Sequence, residues 1–158
     1  MCLRNPKLIT PSEDIVCYKI LGTYENDIND LINIDSKVQT HYKLNKTKSL
    51  NRNTEDIIDS INDNTYIEGG AYHSYFDLED AIYFAKRSIW INLYIVECII
   101  PKNSKYIFEG TTGYMIHNKS TKTKFQKDCN CYASQKIKPI KIVAHVNNVG
   151  RSHTVEWL

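Results

Sequence analysis

The chain has 158 residues, 42% hydrophobic and 24% charged, which is enough apolar material for one core and too ordinary a balance for a disordered, collagen-like or coiled-coil protein. A formal charge of only +2 excludes a strongly basic nucleic-acid coat and an acidic tail protein, so general nucleic-acid binding is not expected. Ile, Asn, Lys and Tyr supply 63 residues, as in AT-rich coding sequences, and the excess of 16 lysines over 4 arginines therefore carries little chemical meaning.

In chain order, residues 1–14 are polar with Pro6 and Pro11 and read as an irregular arm. Ile15 to Leu21 is a short β-branched run closed by Gly22, the pattern of a buried strand. From Glu25 to Asn64 the chain turns polar and Asn-rich. A first apolar cluster, Ile28, Leu31, Ile32 and Ile34, suits helix or strand, and a second, Ile57, Ile58 and Ile61 behind Thr54, suits a short helix. Gly69-Gly70 marks a turn and 71–75 an extended segment. Asp77 then caps a helix whose Leu78, Ala81, Ile82 and Ala85 fall on one face, with Asp77, Glu79 and Asp80 in the first turn and Lys86 and Arg87 in the last. Ile89 to Ile100 follows as a central strand stopped by Pro101.

Lys105 to Glu109 and Gly113 to Ile116 read as a hairpin-like pair turning at Thr111-Thr112-Gly113, and 117–130 as a polar loop. Lys136 to Val146 is a last strand, with Pro139 marking an edge or a bulge, and Val155, Trp157 and Leu158 are candidates for packing back on the core. These elements predict an α+β fold: one compact domain over 1–158, a mixed, mainly antiparallel sheet, one well-defined helix at about 77–88, and a long polar, partly ordered insertion at 25–64. The start lacks an apolar signal core, and the longest apolar stretch, twelve residues from Ile89, is too short to cross a bilayer. With five cysteines, an odd number, the expectation is a cytoplasmic protein with reduced thiols and no membrane partner.

No complete catalytic set stands out. Cys2 behind Met1 fits an N-terminal nucleophile, as any Met-Cys start would. Cys129-Asn130-Cys131 has too short a spacer for a zinc knuckle and no second pair nearby, so two thiols in a turn are expected and neither metal nor cofactor. Glycine fingerprints for dinucleotides and P-loops are absent. His73 is the best placed of five histidines. It stands with Ser74 ahead of the helix, where an anion can meet free backbone N–H groups, although both residues also suit a plain strand-to-helix turn. Charge divides unevenly: residues 1–100 carry net −5, and residues 101–141 carry +7, interleaved with Tyr106, Tyr114, Phe125 and Tyr132. Such a segment suits an anionic ligand with a stacking ring, and it equally suits a solvated lysine-rich surface.

The opening Met-Cys-Leu, the strand with Tyr18-Lys19, Gly69-Gly70-Ala71-Tyr72-His73-Ser74-Tyr75, Val96 to Lys102 and Tyr132 to Ile137 together resemble a group of small uncharacterised proteins of gut bacteria and their phages. That resemblance implies an α+β domain in a phage or mobile-element setting and no particular activity. The order of Tyr18-Lys19 strand, His73-Ser74 before a helix, and central strand ending in Pro101 is also similar to the ADP-ribosyltransferase-like fold. There Lys19 takes the place of an Arg or His, and no Glu falls near Tyr132 to Lys136, so the resemblance implies binding without catalysis.

The leading expectation is a non-enzymatic phage or mobile-element protein, in the host cytoplasm if phage-encoded. It holds a small anionic, nucleotide-like ligand through Tyr18, Lys19, His73, Ser74, Lys105, Tyr132 and Lys136, in the manner of a counter-defence protein that sequesters a host nucleotide signal. The alternatives are an ADP-ribosyltransferase-like enzyme acting on NAD and a structural or protein-interaction subunit. Oligomeric state stays open.

Overall fold

The computed structural model describes residues 2–3, 8–34, 39–50, 71–115, 125–150 and 152–158. Twelve strands and one helix lie among them: β1 (Cys2–Leu3), β2 (Leu8–Ile9), β3 (Ile15–Thr23), β4 (Leu31–Asn33), β5 (His41–Tyr42), β6 (Lys48–Ser49), β7 (Tyr72–Tyr75), α1 (Leu78–Lys86), β8 (Asn92–Ile100), β9 (Tyr106–Met115), β10 (Phe125–Ser134), β11 (Lys136–Asn147) and β12 (Thr154–Trp157). The fold is α+β, and every strand pairing among the described residues is antiparallel.

The main path of the sheet runs β1-β9-β10-β7-β3-β8-β11-β12, with β2 on β9, β4 on β3, β5 on β4 and β6 on β11. β10 and β11 are three strands apart in this order, yet Gln135 alone separates them in sequence. Two peptide units span at most about 7.6 Å, so the sheet must twist until its margins meet. Two core clusters show where. Tyr132 of β10 and Ile137 of β11 join Cys17, Leu21, Val96, Cys98 and Ile100 on one face, called here the far face. On the other face, Cys131 of β10 and Ala144 and Val146 of β11 close around Ala81, Phe84 and Ala85 of α1.

The helix forms where its periodicity predicts, with Asp77 in extended geometry as N-cap and Glu79 and Asp80 in its first turn. Its buried stripe is rotated from the expected one. Phe84 is at the centre and Leu78 and Ile82 are half-buried, because Tyr75 of β7 stacks on Phe84 with ring centroids 5.5 Å apart. β8 is central as expected but starts at Asn92, leaving Ile89 and Ile91 exposed.

The cause is Asn148, a buried residue past β11 whose Nδ2 reaches the carbonyls of Ala85 (2.8 Å), Trp90 (3.0 Å) and Ser88 (3.4 Å). It thereby closes the end of α1 and holds the connection to β8 in a turn. Because Nδ2 is the donor to these carbonyls, Oδ1 is the acceptor for His153, whose Nδ1 lies 3.0 Å away and must carry the proton.

Several expectations need correction. The hairpin at Thr111-Thr112-Gly113 does not exist: β9 runs unbroken from Tyr106 to Met115 and pairs along its whole length with β10. Glycine is tolerated within a paired strand, so Gly110 and Gly113 do not mark a turn. The expected loop 117–130 is strand from Phe125, and Cys129-Asn130-Cys131 is no turn. Positions i and i+2 share a face, which places both thiols under α1 with Sγ atoms 3.4 Å apart. The arm at 1–14 contributes β1 and β2, and at the tail Val155 packs on the core while Trp157 and Leu158 are exposed.

Within the 25–64 stretch the first apolar cluster resolves as strand: β4 and β5 lay Leu31 and Tyr42 against the far face. The helix expected at Ile57, Ile58 and Ile61 lies outside the described residues. The register of β11 on β8 shifts between Pro139 and Lys141, the bulge that Pro139 announces.

Replacing Asn148 with Ala takes a donor from three carbonyls, of which that of Ala85 keeps the Ser88 N–H, and the expected loss is about 2–4 kcal/mol in denaturant unfolding. Asn148→Asp, which keeps the acceptor for His153 and turns a charge on the carbonyls, should be no more stable than Asn148→Ala. An aspartate variant of wild-type stability would contradict this account of the connection.

Candidate functional site

On β3, Cys17, Lys19 and Leu21 alternate onto the far face, and so do Tyr72 and Ser74 on β7 and Phe76 just past its end. The single β3–β7 pair, Tyr18 with Tyr75, sets these two rows beside each other, and the β7–β10 register puts Tyr132 directly opposite Ser74. β3 then leaves β7 and takes β4 as its neighbour from Leu21 onward. Lys19 sits where the partner changes.

Lys19 is 8% exposed, and its Nζ donates to the backbone oxygen of His73 at 2.5 Å. The ring of Tyr42, carried over this point by β5, lies 5.3 Å from Nζ, within cation–π range. No carboxylate among the described residues forms an ion pair with Lys19. Beside it, Ser74 is 1% exposed, and its Oγ makes no hydrogen bond of ordinary length.

The Cys17 thiol is next to Ser74. Burial pushes it from 9.0 up to about 11, while the Ser74 hydroxyl and the Lys19 ammonium pull the other way. Burial also raises Cys98, its cross-strand partner, and the neighbouring Cys17 adds to that shift. Tyr132 is pushed up to about 12, first by burial and then by Cys17, Tyr106 and Asp77. Tyr72 is raised by burial and by Tyr42. The thiols and phenols beside the ammonium are thus held protonated at neutral pH and do not neutralise it, while the charges of Glu97 and Asp77 are felt at Cys98 and Tyr132.

Beyond Ser74 the far face becomes aromatic. Tyr132 is ringed by Phe108 at 5.1 Å, Tyr106 at 5.6 Å and Phe76 at 6.1 Å between centroids, and Phe76 also meets Phe108 at 5.6 Å. Burial falls along this row from Ser74 at 1% and Tyr132 at 6% to Phe76, which is 45% exposed.

Of the seven residues expected in a site, the structure gathers Lys19, Ser74 and Tyr132. Tyr18 and His73 alternate to the helix side of the same strands, where Tyr18 faces Glu97 across the ladder and its phenol is raised by burial and by that carboxylate; His73 reaches the cluster only through its carbonyl. Lys105 and Lys136 stand at the Gln135 corner, where the Gln135 N–H meets the Lys105 oxygen at 3.1 Å and the Lys136 N–H meets Ser104 Oγ at 2.9 Å. Cys17 and Phe76 were missed, although each stands two residues from a chosen one and so on its face. Tyr42 carries no such signal, because it arrives from a stretch without periodicity.

Among the described residues no group of three or more His, Cys, Asp or Glu is arranged to hold a metal ion, and no helix is long and apolar enough to cross a membrane. No family model, curated protein or solved structure matches the chain, and the functional reading rests on this geometry alone.

Because the Cys17 thiol titrates higher in the folded chain than in the unfolded one, the unfolded state releases its proton first as pH rises. Stability contributed below about pH 9 is lost between there and about pH 11. Thermal unfolding from about pH 8 to about pH 10.5 should show a falling Tm, with a shallower fall in Cys17→Ala. Identical slopes would show that this thiol is not buried as described.

Proposed function

We propose that the protein is a non-enzymatic binding protein for a small anionic ligand, received at the ammonium of Lys19. The observation that carries this reading is a cation 8% exposed with no carboxylate partner among the described residues. An ammonium has three donors, and the His73 carbonyl takes one. Taking such a charge out of water without a counter-ion is costly by several kcal/mol, and a carbonyl and a ring face offset only part of that. A phosphate or carboxylate group at Nζ would complete the set, with the Ser74 and Tyr132 hydroxyls on neighbouring strands as further donors. The protonated thiols and phenols add no repulsion to an incoming anion.

The reading also accounts for a lysine at a strand position otherwise filled by core residues. Lysine is almost never buried unless something pairs with it.

The test is thermal unfolding at low salt with inorganic phosphate, ribose 5-phosphate and adenosine monophosphate, in wild type and Lys19→Met. In wild type, Tm should climb with the concentration of at least one of these anions, by mass action. In Lys19→Met it should not. Without ligand, Lys19→Met should stay near wild-type stability, since the relief of a buried charge offsets the donor lost to the His73 carbonyl. A wild-type Tm indifferent to all three anions, or an unchanged response in Lys19→Met, would overturn the proposal.

A further inference from the structure

Resting on the Lys19 reading, we infer that the ligand carries a planar ring beside its anionic group, and that this ring stacks on Phe76: the class is a nucleotide rather than a simple oxyanion or a sugar phosphate. Three observations converge on this. The first is register. The Tyr18–Tyr75 pair, continued by one residue on either side, sets Lys19 beside Ser74 and Cys17 beside Phe76. Lys19 and Phe76 are then diagonal neighbours on one face, a relation that spaces Cα atoms by about 7–8 Å. This is the scale on which a mononucleotide separates its phosphate from its base.

The second is exposure. Phe76 is 45% exposed although two rings, Phe108 at 5.6 Å and Tyr132 at 6.1 Å, already flank it. Those neighbours hold one side of the ring and leave another to water. Of the other exposed apolar side chains, Val16 lies on β3 but alternates to the opposite face from Cys17 and Lys19, and Tyr24, Ile28, Ile89, Ile91, Val149, Trp157 and Leu158 lie in connections and at the chain's tail.

The third is the gradient of polarity. A site for inorganic phosphate alone needs donors on several sides, whereas here the charged end is buried and the residues beyond it on the same face are aromatic. The backbone N–H of Phe76 is tied to the carbonyl of Asn130 at 3.0 Å, which fixes the base of the ring to β10. An anchored aromatic residue with an open face is a stacking platform that accepts any base, since every base has a π-face.

Titration calorimetry of wild type and Phe76→Ala with ribose 5-phosphate and adenosine monophosphate separates the possibilities, with Phe76→Trp as a variant that keeps a ring. Adenosine monophosphate should bind wild type about tenfold or more tighter than ribose 5-phosphate. Phe76→Ala should remove that difference while leaving ribose 5-phosphate unchanged, and Phe76→Trp should preserve it. Equal affinities of the two ligands for wild type would overturn the ring inference and leave the Lys19 reading standing. A preference for adenosine monophosphate that survives Phe76→Ala would overturn the placement of the base. Binding of neither ligand would remove both the inference and the reading beneath it.

Discussion

Gln135 is the whole connection between β10 and β11, strands separated in the sheet by β7, β3 and β8. A flat sheet would hold those strands far apart, so the short link is compatible only with strong twist. From that constraint the two cores follow. Residues of both margins, Tyr132 and Ile137, close over the far face. On the other face Cys131 and Val146 close around α1. A helix of nine residues is long enough for this work because the sheet wraps toward it.

The same twist explains why β3 changes partners along its length. Beside β7 it is paired only at Tyr18, and from Leu21 it is paired with β4. Between these points the ladder is interrupted, and a backbone oxygen there needs another donor. Lys19 provides it to His73, under a ring supplied by the neighbouring β5. The cation is therefore part of how the sheet divides, and its position inside the core gives it chemical interest. One of its three donors fills a structural gap in the ladder.

Energetics and recognition point the same way along this face. Burial keeps Cys17 and Tyr132 protonated, so these two neighbours of the ammonium are polarisable and uncharged. The gradient from Ser74 to Phe76 runs from enclosed polar groups to a half-open aromatic wall.

Local chemistry alone was enough for the elements whose signals are local. The strand from Ile15, the helix behind Asp77 and the bulge at Pro139 follow from β-branched runs, 3.6-residue spacing and a missing N–H, all of which act within a few residues. That Lys19 stands within an apolar strand was also legible. What pairs with what was not. Gly110 and Gly113 look like a turn until a partner strand holds them extended, and Cys129-Asn130-Cys131 looks like a loop until α1 covers one side of it.

Tyr42, Phe76 and Phe108 join the site through cross-strand register and a covering strand, which are relations between residues far apart in the chain. The amino-acid sequence by itself determined an α+β chain with one amphipathic helix and a lysine set in an apolar strand. Only the tertiary structure decided that this lysine is enclosed without a carboxylate partner among the described residues and lies diagonal to a half-exposed phenylalanine ring, because burial and register depend on how distant strands meet.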